Sequence, residues 1–183
     1  MQDHRKAILD AGLTLLRENG LAALTQPKVA AKTGLRQSHL TYYYPTRADL
    51  LAAVARVAIE AQLATIRSLV KGASSKRKTA STIAAVTVMH ENTRVLSALN
   101  QAADQEPAVR ELFNELLGGF MSDLRALLET LGLPANEPQV DLIHAVFVGL
   151  SIINLATARQ KGKVRAEAVL NLAFTLLSGE NNE

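Results

Sequence analysis

Residues 36–44 concentrate side chains that can bind nucleic acid. They are Arg36, Gln37, Ser38, His39, Tyr42, Tyr43 and Tyr44. The polar groups offer hydrogen bonds to base edges and phosphates, and a tyrosine combines a packing ring with a hydroxyl. The 183 residues contain no other tyrosine, four phenylalanines and no tryptophan. Because consecutive residues of a helix or strand cannot all face one core, the three tyrosines indicate more than core packing.

The excess of positive over negative charge lies in the first third of the chain, around these tyrosines. Residues 1–60 carry a net charge of +3, and residues 61–183 carry none. Between Gln26 and Arg47 there are four basic residues and no acidic one. This distribution is typical of a polyanion-binding module joined to a neutral body.

Two short helices around a glycine turn would position the polar run. Thr25 is a candidate N-cap for a helix over 26–33, and Gly34 ends it. A second helix is predicted over 37–44 and ends at Pro45. This is a helix-turn-helix, whose second helix fits the major groove. At about 100° per residue the tyrosines fan out, so one can enter the core while two reach outward.

The rest of the chain also predicts helices. A first helix ends at Gly20, and Thr46 with Asp49 forms a capping box that opens a helix to about Val70. Residues 71–79 are the best linker candidate. The later helices are predicted at 81–102, 107–132, 137–161 and 165–178. We therefore expect an all-α protein of about eight helices.

Residues 8–51 resemble the N-terminal DNA-binding domain of tetracycline-repressor-type (TetR family) regulators. The matching elements are Gly20, Thr25, Val29-Ala30, Thr33-Gly34-Leu35, Leu40-Thr41-Tyr42-Tyr43-Tyr44 and Thr46-Arg47-Ala48-Asp49-Leu50. The departures include Arg36 for a small residue and Ser38 for glycine. The resemblance implies a helix-turn-helix domain at 1–50 and a helical effector-binding and dimerisation domain at 51–183.

The candidate DNA-binding residues follow from the helix-turn-helix and the resemblance together. They are Thr25, Gln26, Lys28, Arg36, Gln37, Ser38, His39, Tyr42, Tyr43 and Arg47. The resemblance implies that Tyr43 and Arg47 touch phosphate and that Tyr44 enters the core. Thr25 and Gln26 stand at a helix N-terminus, where free N–H groups favour phosphate. Each residue alone would also suit a solvated surface.

The C-terminal helices indicate a homodimer and a ligand cavity. The segment 137–161 is apolar on nearly all sides, and 165–178 carries a complementary stripe, so both are expected to form a dimer interface. One monomer's core is the alternative. Gly118-Gly119 inside a helical run predicts a kink or a tight contact. Candidate ligand-binding residues are Met89, His90, Arg94, Phe113, Asn114 and Phe120.

Composition argues against several other classes. There is no cysteine, His-x-x-x-His pair or glycine-rich phosphate loop, so we expect no enzyme, cofactor or metal site. The polar start and the interrupted apolar stretch at 142–156 favour a cytoplasmic protein without a membrane span. The expected function is a regulator, most simply a repressor, that binds a palindromic operator in double-stranded DNA and is released by a small, largely apolar effector. A helical small-molecule-binding protein without specific operator recognition is the alternative.

Overall fold

The computed structural model describes residues 3–157 and 161–179, without the side chains of residues 62, 66 and 69. These residues form nine α-helices and one short 3-10 helix, with no strand among them, which confirms the all-α class. The helices are α1 (His4–Asn19), the 3-10 helix (Leu21–Ala23), α2 (Gln26–Thr33), α3 (Gln37–Tyr43), α4 (Arg47–Gly72), α5 (Lys76–Thr87), α6 (His90–Gln105), α7 (Pro107–Thr130), α8 (Glu137–Thr157) and α9 (Gly162–Ser178).

One compact unit consists of Met1–Gln62 and Arg94–Leu116. In its N-terminal part, α2 contacts both α1 and α3. The fully buried side chains of this part include Ile8, Leu16, Val29, Leu40, Leu50 and Val54. A Cβ atom on Gly12 would lie 2.6 Å from Cγ2 of Val54, so glycine is required where α1 meets α4. Burial of these apolar side chains fixes the small helices that carry the polar run.

Side-chain caps fix the start of two of these helices. The Asp3 carboxylate accepts a hydrogen bond from the Lys6 N–H at 3.3 Å and so caps α1. At the start of α4, the Thr46 hydroxyl accepts from the Asp49 N–H at 3.0 Å, and the Asp49 carboxylate accepts from the Thr46 N–H at 2.9 Å. The predicted capping box is therefore present.

The second compact unit consists of Leu63–Thr93 and Leu117–Glu183. Here α5 packs against α9 and α8, and α8 also contacts α9. Ile83, Leu128, Ile143, Leu170 and Phe174 belong to one buried apolar cluster. Among the described residues, α8 is the one helix that is long and apolar enough to cross a membrane. Only 28% of its apolar 18-residue stretch is buried. The predicted functional division after residue 50 stays a prediction.

The structure corrects the predicted helix over 81–102. Two helices, α5 and α6, occupy this region, with Val88 and Met89 between them. The break follows Val86-Thr87-Val88, a run of β-branched residues that are weak helix formers. Thr87 also turns its hydroxyl back to the Ala84 carbonyl at 2.9 Å. Since neither glycine nor proline marks the site, the sequence pattern gave no stop signal.

The predicted linker at 71–79 is also shorter than expected. Helix α4 continues to Gly72, and α5 begins at Lys76, so only residues 73–75 lie between them. The Ser75 hydroxyl accepts a hydrogen bond from the Lys78 N–H at 3.3 Å and caps α5. The basic residues after Ser75 are good helix formers, which explains why the polar segment is helical.

Two glycine predictions have definite outcomes. Gly118-Gly119 lies within the continuous helix α7, and a Cβ on Gly119 would lie 3.1 Å from Cδ2 of Leu63, which is the predicted tight contact. Gly162 begins α9 and does not end the preceding helix, which reaches Thr157; residues 158–160 lie outside the described part. A Cβ on Gly162 would come within 2.7 Å of the terminal oxygen of Asn154, so a larger residue here would require the Asn154 side chain to move.

Candidate nucleic-acid interface

Helix α3 exposes a polar face and buries one anchor. Leu40 is fully buried, whereas Gln37, Ser38 and His39 are all exposed. Tyr42 keeps 81% of its surface exposed, which is unusual for a large aromatic side chain. The face that sequence reasoning assigned to DNA is thus free of core packing.

The turn between α2 and α3 begins with a glycine that ends α2. Gly34 adopts a left-handed conformation with φ 70° and ψ 9°, which side chains other than glycine rarely adopt. The Thr33 hydroxyl donates to the Val29 carbonyl at 2.9 Å and accepts from the Leu35 N–H at 3.4 Å. Arg36 occupies the N-cap position of α3 with extended backbone, and its side chain makes no capping hydrogen bond. Its guanidinium is exposed next to α3.

The three tyrosines differ from the prediction of one core side chain and two outward ones, because one is exposed, two are half-buried and none is fully buried. Tyr43 and Tyr44 are half-buried, and the rings of Tyr42 and Tyr43 meet edge to face with centroids 5.2 Å apart. Burial raises the pKa of the Tyr44 hydroxyl, while Arg5 lowers it. Tyr44 therefore fills the edge of the core only in part.

The N-terminus of α2 is joined to the C-terminus of α3 by a side chain. The Gln26 amide donates to the Tyr44 carbonyl at 2.8 Å, so this group is committed to structure. Thr25 has extended N-cap backbone, yet its hydroxyl makes no capping hydrogen bond. Lys28 is exposed one turn later. Phosphate contacts by these three residues stay predictions, and the Gln26 contact would have to use its backbone N–H.

Arg47 is the first residue of α4 and lies between Thr46 and Asp49, the two residues of the capping box. Its side chain is exposed, and Leu50 on the same helix is fully buried. Hydrogen bonds from the Thr46 hydroxyl and N–H lower the pKa of the Asp49 carboxyl. Because the box satisfies the first turn of the helix, Arg47 is left available for a phosphate.

Sequence reasoning missed two residues that touch this surface. The imidazole of His4 stacks on that of His39, with centroids 5.8 Å apart and an interplanar angle of 16°. The Arg5 guanidinium lies over the Tyr43 ring, 5.5 Å from its centroid. Both residues open α1, and no local pattern in the sequence signals a contact with a helix more than thirty residues later.

The predicted ligand residues fall in both compact units. Met89, His90 and Phe120 belong to the second unit, whereas Arg94, Phe113 and Asn114 belong to the first. Within the second unit, Phe120 packs against two rings of α8, those of His144 at 4.9 Å and Phe147 at 5.7 Å between centroids. Met89, Arg94 and Asn114 are exposed, and His90, Phe113 and Phe120 are half-buried. A ligand site formed by these six residues stays a prediction.

Other possible sites give weaker signals. An open cleft of about 260 Å³ in the first unit is lined by three alanines, Leu112, Arg56, Glu111 and Glu115, none of which was predicted to bind ligand. Among the described residues, no group of three or more histidine, cysteine, aspartate or glutamate side chains is arranged to hold a metal ion. Neither the cleft nor a metal site is therefore as well supported a candidate functional site as the exposed polar face of α3.

These features define an all-helical protein with an N-terminal helix-turn-helix whose second helix exposes a polar face. Residues 8–54 match the family model described as bacterial regulatory proteins, tetR family. The HTH-type transcriptional repressor LfrR of Mycolicibacterium smegmatis is 46% identical over 52 residues, which cover 28% of this chain and 26% of that repressor.

Two solved structures share the fold over nearly the whole chain. A transcriptional regulator from Rhodococcus sp. Rha1 superposes with a TM-score of 0.80 at 17% identity, over 96% of each chain. A transcriptional regulator from Saccharomonospora viridis in complex with choline has a TM-score of 0.80 at 15% identity, over 93% of this chain and 95% of that one. Residues 8–54 thus carry the tetR-family domain, and the chain as a whole has the fold of such regulators.

Proposed function

We propose that this protein is a DNA-binding transcriptional regulator that represses its target and is released by a small molecule. The observation that carries the proposal is the exposed polar face of α3, held by buried Leu40 within a tetR-family domain. Gln37, Ser38 and His39 would read base edges, while Tyr43 and Arg47 would bind phosphate. Repression is supported by the similarity to the transcriptional repressor LfrR, which covers 28% of this chain. The proposed location is the cytoplasm, where bacterial DNA lies.

A second copy of the chain would cover the outer faces of α8 and α9. Among the residues that the structure describes, ten large apolar side chains are exposed, and seven of them lie on these helices. They are Leu142, Val148, Ile152, Ile153, Val164, Leu172 and Leu176. Apart from the backbone of its own helix, no described atom lies within 4 Å of a Cβ built on Gly149, so another helix can approach α8 there. An apolar surface of this kind favours a two-fold homodimer through α8 and α9.

The two-fold symmetry would be mirrored in the operator. A dimer with two copies of α3 requires a palindromic site in double-stranded DNA. Its half-site centres should lie about 34–36 Å apart or a multiple of this spacing. Arg36 and His39 distinguish the proposed base-reading face of this chain from the usual pattern of the family. The operator is therefore expected to differ from a family-average operator.

Release by an effector requires a ligand that prefers one conformation. The choline complex of the Saccharomonospora viridis regulator supports small-molecule binding by proteins of this fold. In this chain the aromatic cluster of Phe120, His144 and Phe147 favours a small, largely apolar compound with a few orienting polar groups. His90, Arg94 and Asn114 remain the candidates for those polar contacts. The ligand would shift the population towards the state that does not fit the operator.

The decisive experiment is selection of a duplex from a random-sequence library by the full-length protein. We expect an inverted repeat to be enriched and protected in footprinting, with affinity that falls steeply as salt rises. Weak binding without enrichment of any sequence would instead favour the alternative, a helical small-molecule-binding protein without operator recognition.

A further inference from the structure

The first turn of α1 lies against the surface expected to face DNA. Its residues His4 and Arg5 precede the segment that matches the tetR-family model, which begins at residue 8. Both contact residues assigned to DNA binding, since His4 stacks on His39 and Arg5 lies over Tyr43. One partner of each contact, His4 or Arg5, therefore lies outside the matched segment.

The position of this turn is fixed by the fold. Asp3 caps the helix through its carboxylate, and its carbonyl accepts from the Ala7 N–H at 3.1 Å. One turn further, Ile8 is fully buried. The cap and the buried anchor fix the backbone of this turn, so the stack and the cation–ring contact come from an ordered helix.

Arg5 adds a positive charge beside a predicted phosphate contact. The guanidinium is exposed and lies 5.5 Å from the centroid of the half-buried Tyr43 ring. An arginine that stacks on an aromatic face keeps its N–H donors free at its edge. A phosphate bound by the Tyr43 hydroxyl would therefore lie close to a second, charged donor.

His4 restrains a residue expected to read bases. His39 is exposed on α3, where a lone side chain would sample several rotamers. The near-parallel stack with the half-buried His4 ring removes part of that freedom before DNA arrives. A restrained side chain loses less conformational entropy on binding and holds one hydrogen-bonding direction.

We infer that the first turn of α1 is part of the DNA interface, with Arg5 binding a backbone phosphate beside Tyr43 and His4 acting as a positioning residue for His39. This inference rests on the proposed function, because it needs α3 to bind DNA. It assigns a phosphate contact and a determinant of base preference that lie outside the helix-turn-helix.

The Arg5 contact is tested by the salt dependence of binding to a duplex of scrambled sequence. Arg5→Gln should lower the salt slope of the affinity by about one relative to wild type. The deficit of the variant should then shrink by about 3.5-fold between 50 and 200 mM salt. Arg17→Gln removes the same charge from the same helix, about 18 Å further along its axis, and is the matched control. Equal slopes for the two variants would overturn the Arg5 contact.

The His4 role is tested on the duplex that wild type selects and on its single-base-pair variants. His4→Ala should relax the preference at the base pair whose recognition His39→Ala abolishes, and it should have no further effect in the His39→Ala background. His4→Phe keeps a ring in the stack and should restore the preference. A purely structural role for His4 would lower affinity for all duplexes together with the thermal midpoint, and would persist without His39.

The two levels of failure are distinguishable. If wild type bound neither duplex, the proposed function and this inference would both be wrong. If wild type selected an operator while Arg5→Gln and His4→Ala, folded by circular dichroism, matched it in slope and base preference, only the inference would be overturned.

Discussion

The outer face of α8 and α9 gives the most direct test of assembly. Leu176 on α9 is 69% exposed in the single chain, the largest exposed fraction among the apolar side chains of these two helices. Leu176→Ala removes most of that apolar surface without touching the core formed by Phe174 and Leu170. If a second copy covers α9, the substitution weakens the dimer and leaves the fold of each chain intact.

The size of the effect follows from the exposed fraction. Complete burial of a leucine side chain contributes about 1.5–3 kcal/mol, so covering the exposed 69% contributes about 1–2 kcal/mol per copy. A two-fold interface contains the residue twice, which raises the cost of Leu176→Ala to as much as about 4 kcal/mol. Since about 1.4 kcal/mol corresponds to a factor of ten, the dissociation constant should rise by up to about 1000-fold.

Sedimentation equilibrium over a range of protein concentrations measures this change. Leu117→Ala is a matched control, because Leu117 is an exposed leucine on α7, outside the proposed interface. Wild type and Leu117→Ala should stay dimeric at concentrations where Leu176→Ala dissociates. A monomeric wild type at micromolar concentration, or equal behaviour of the two variants, would refute the interface.

Four other outcomes are expected. Gln37→Ala should cost about 1–3 kcal/mol on the selected operator and relax one base preference, as measured by mobility shift. Arg47→Ala should weaken all duplexes alike and reduce the salt slope by about one; an unchanged slope would contradict its phosphate role. In denaturant unfolding, Gly118→Ala should raise the free energy of unfolding by as much as about 1 kcal/mol. Gly119→Leu should lower it by about 1–3 kcal/mol, because the new side chain crowds Leu63. Burial lowers the pKa of His144, and Asp141 opposes this only in part. The unfolded chain therefore binds more protons than the folded one, and the free energy of unfolding should decrease as the pH is lowered below about 6.5. His144→Gln should make the free energy of unfolding less dependent on pH in this range.

The helix-turn-helix was predictable because its signals are local. Gly34, the Thr46–Asp49 box and the anchor Leu40 each act within a few residues, and the structure places all of them as expected. The break between α5 and α6 lacked such a signal. A run of β-branched residues only weakens a helix, and whether the helix ends there is decided by packing elsewhere.

The contact between α1 and α3 could not be predicted for a different reason. His4 and His39 are thirty-five positions apart, and each reads as an ordinary exposed polar residue in its own helix. Their stack depends on how α1 crosses the helix-turn-helix, which the buried side chains of several helices determine together. Pairings of this kind arise from tertiary packing, so one sequence carries no pattern that marks them.

The apolar character of α8 admits two explanations, and its inner face separates them. Val140, Ile143 and Leu150 are buried in a cluster with Leu170 and Phe174 of α9. A helix that left this cluster to cross a membrane would expose the α9 side chains and carry Asn154, now buried, into hydrocarbon. A second copy of the chain, as proposed, would cover the outer face and leave the inner face in place. The two-sided apolar pattern of α8 therefore favours a core helix that also forms an interface.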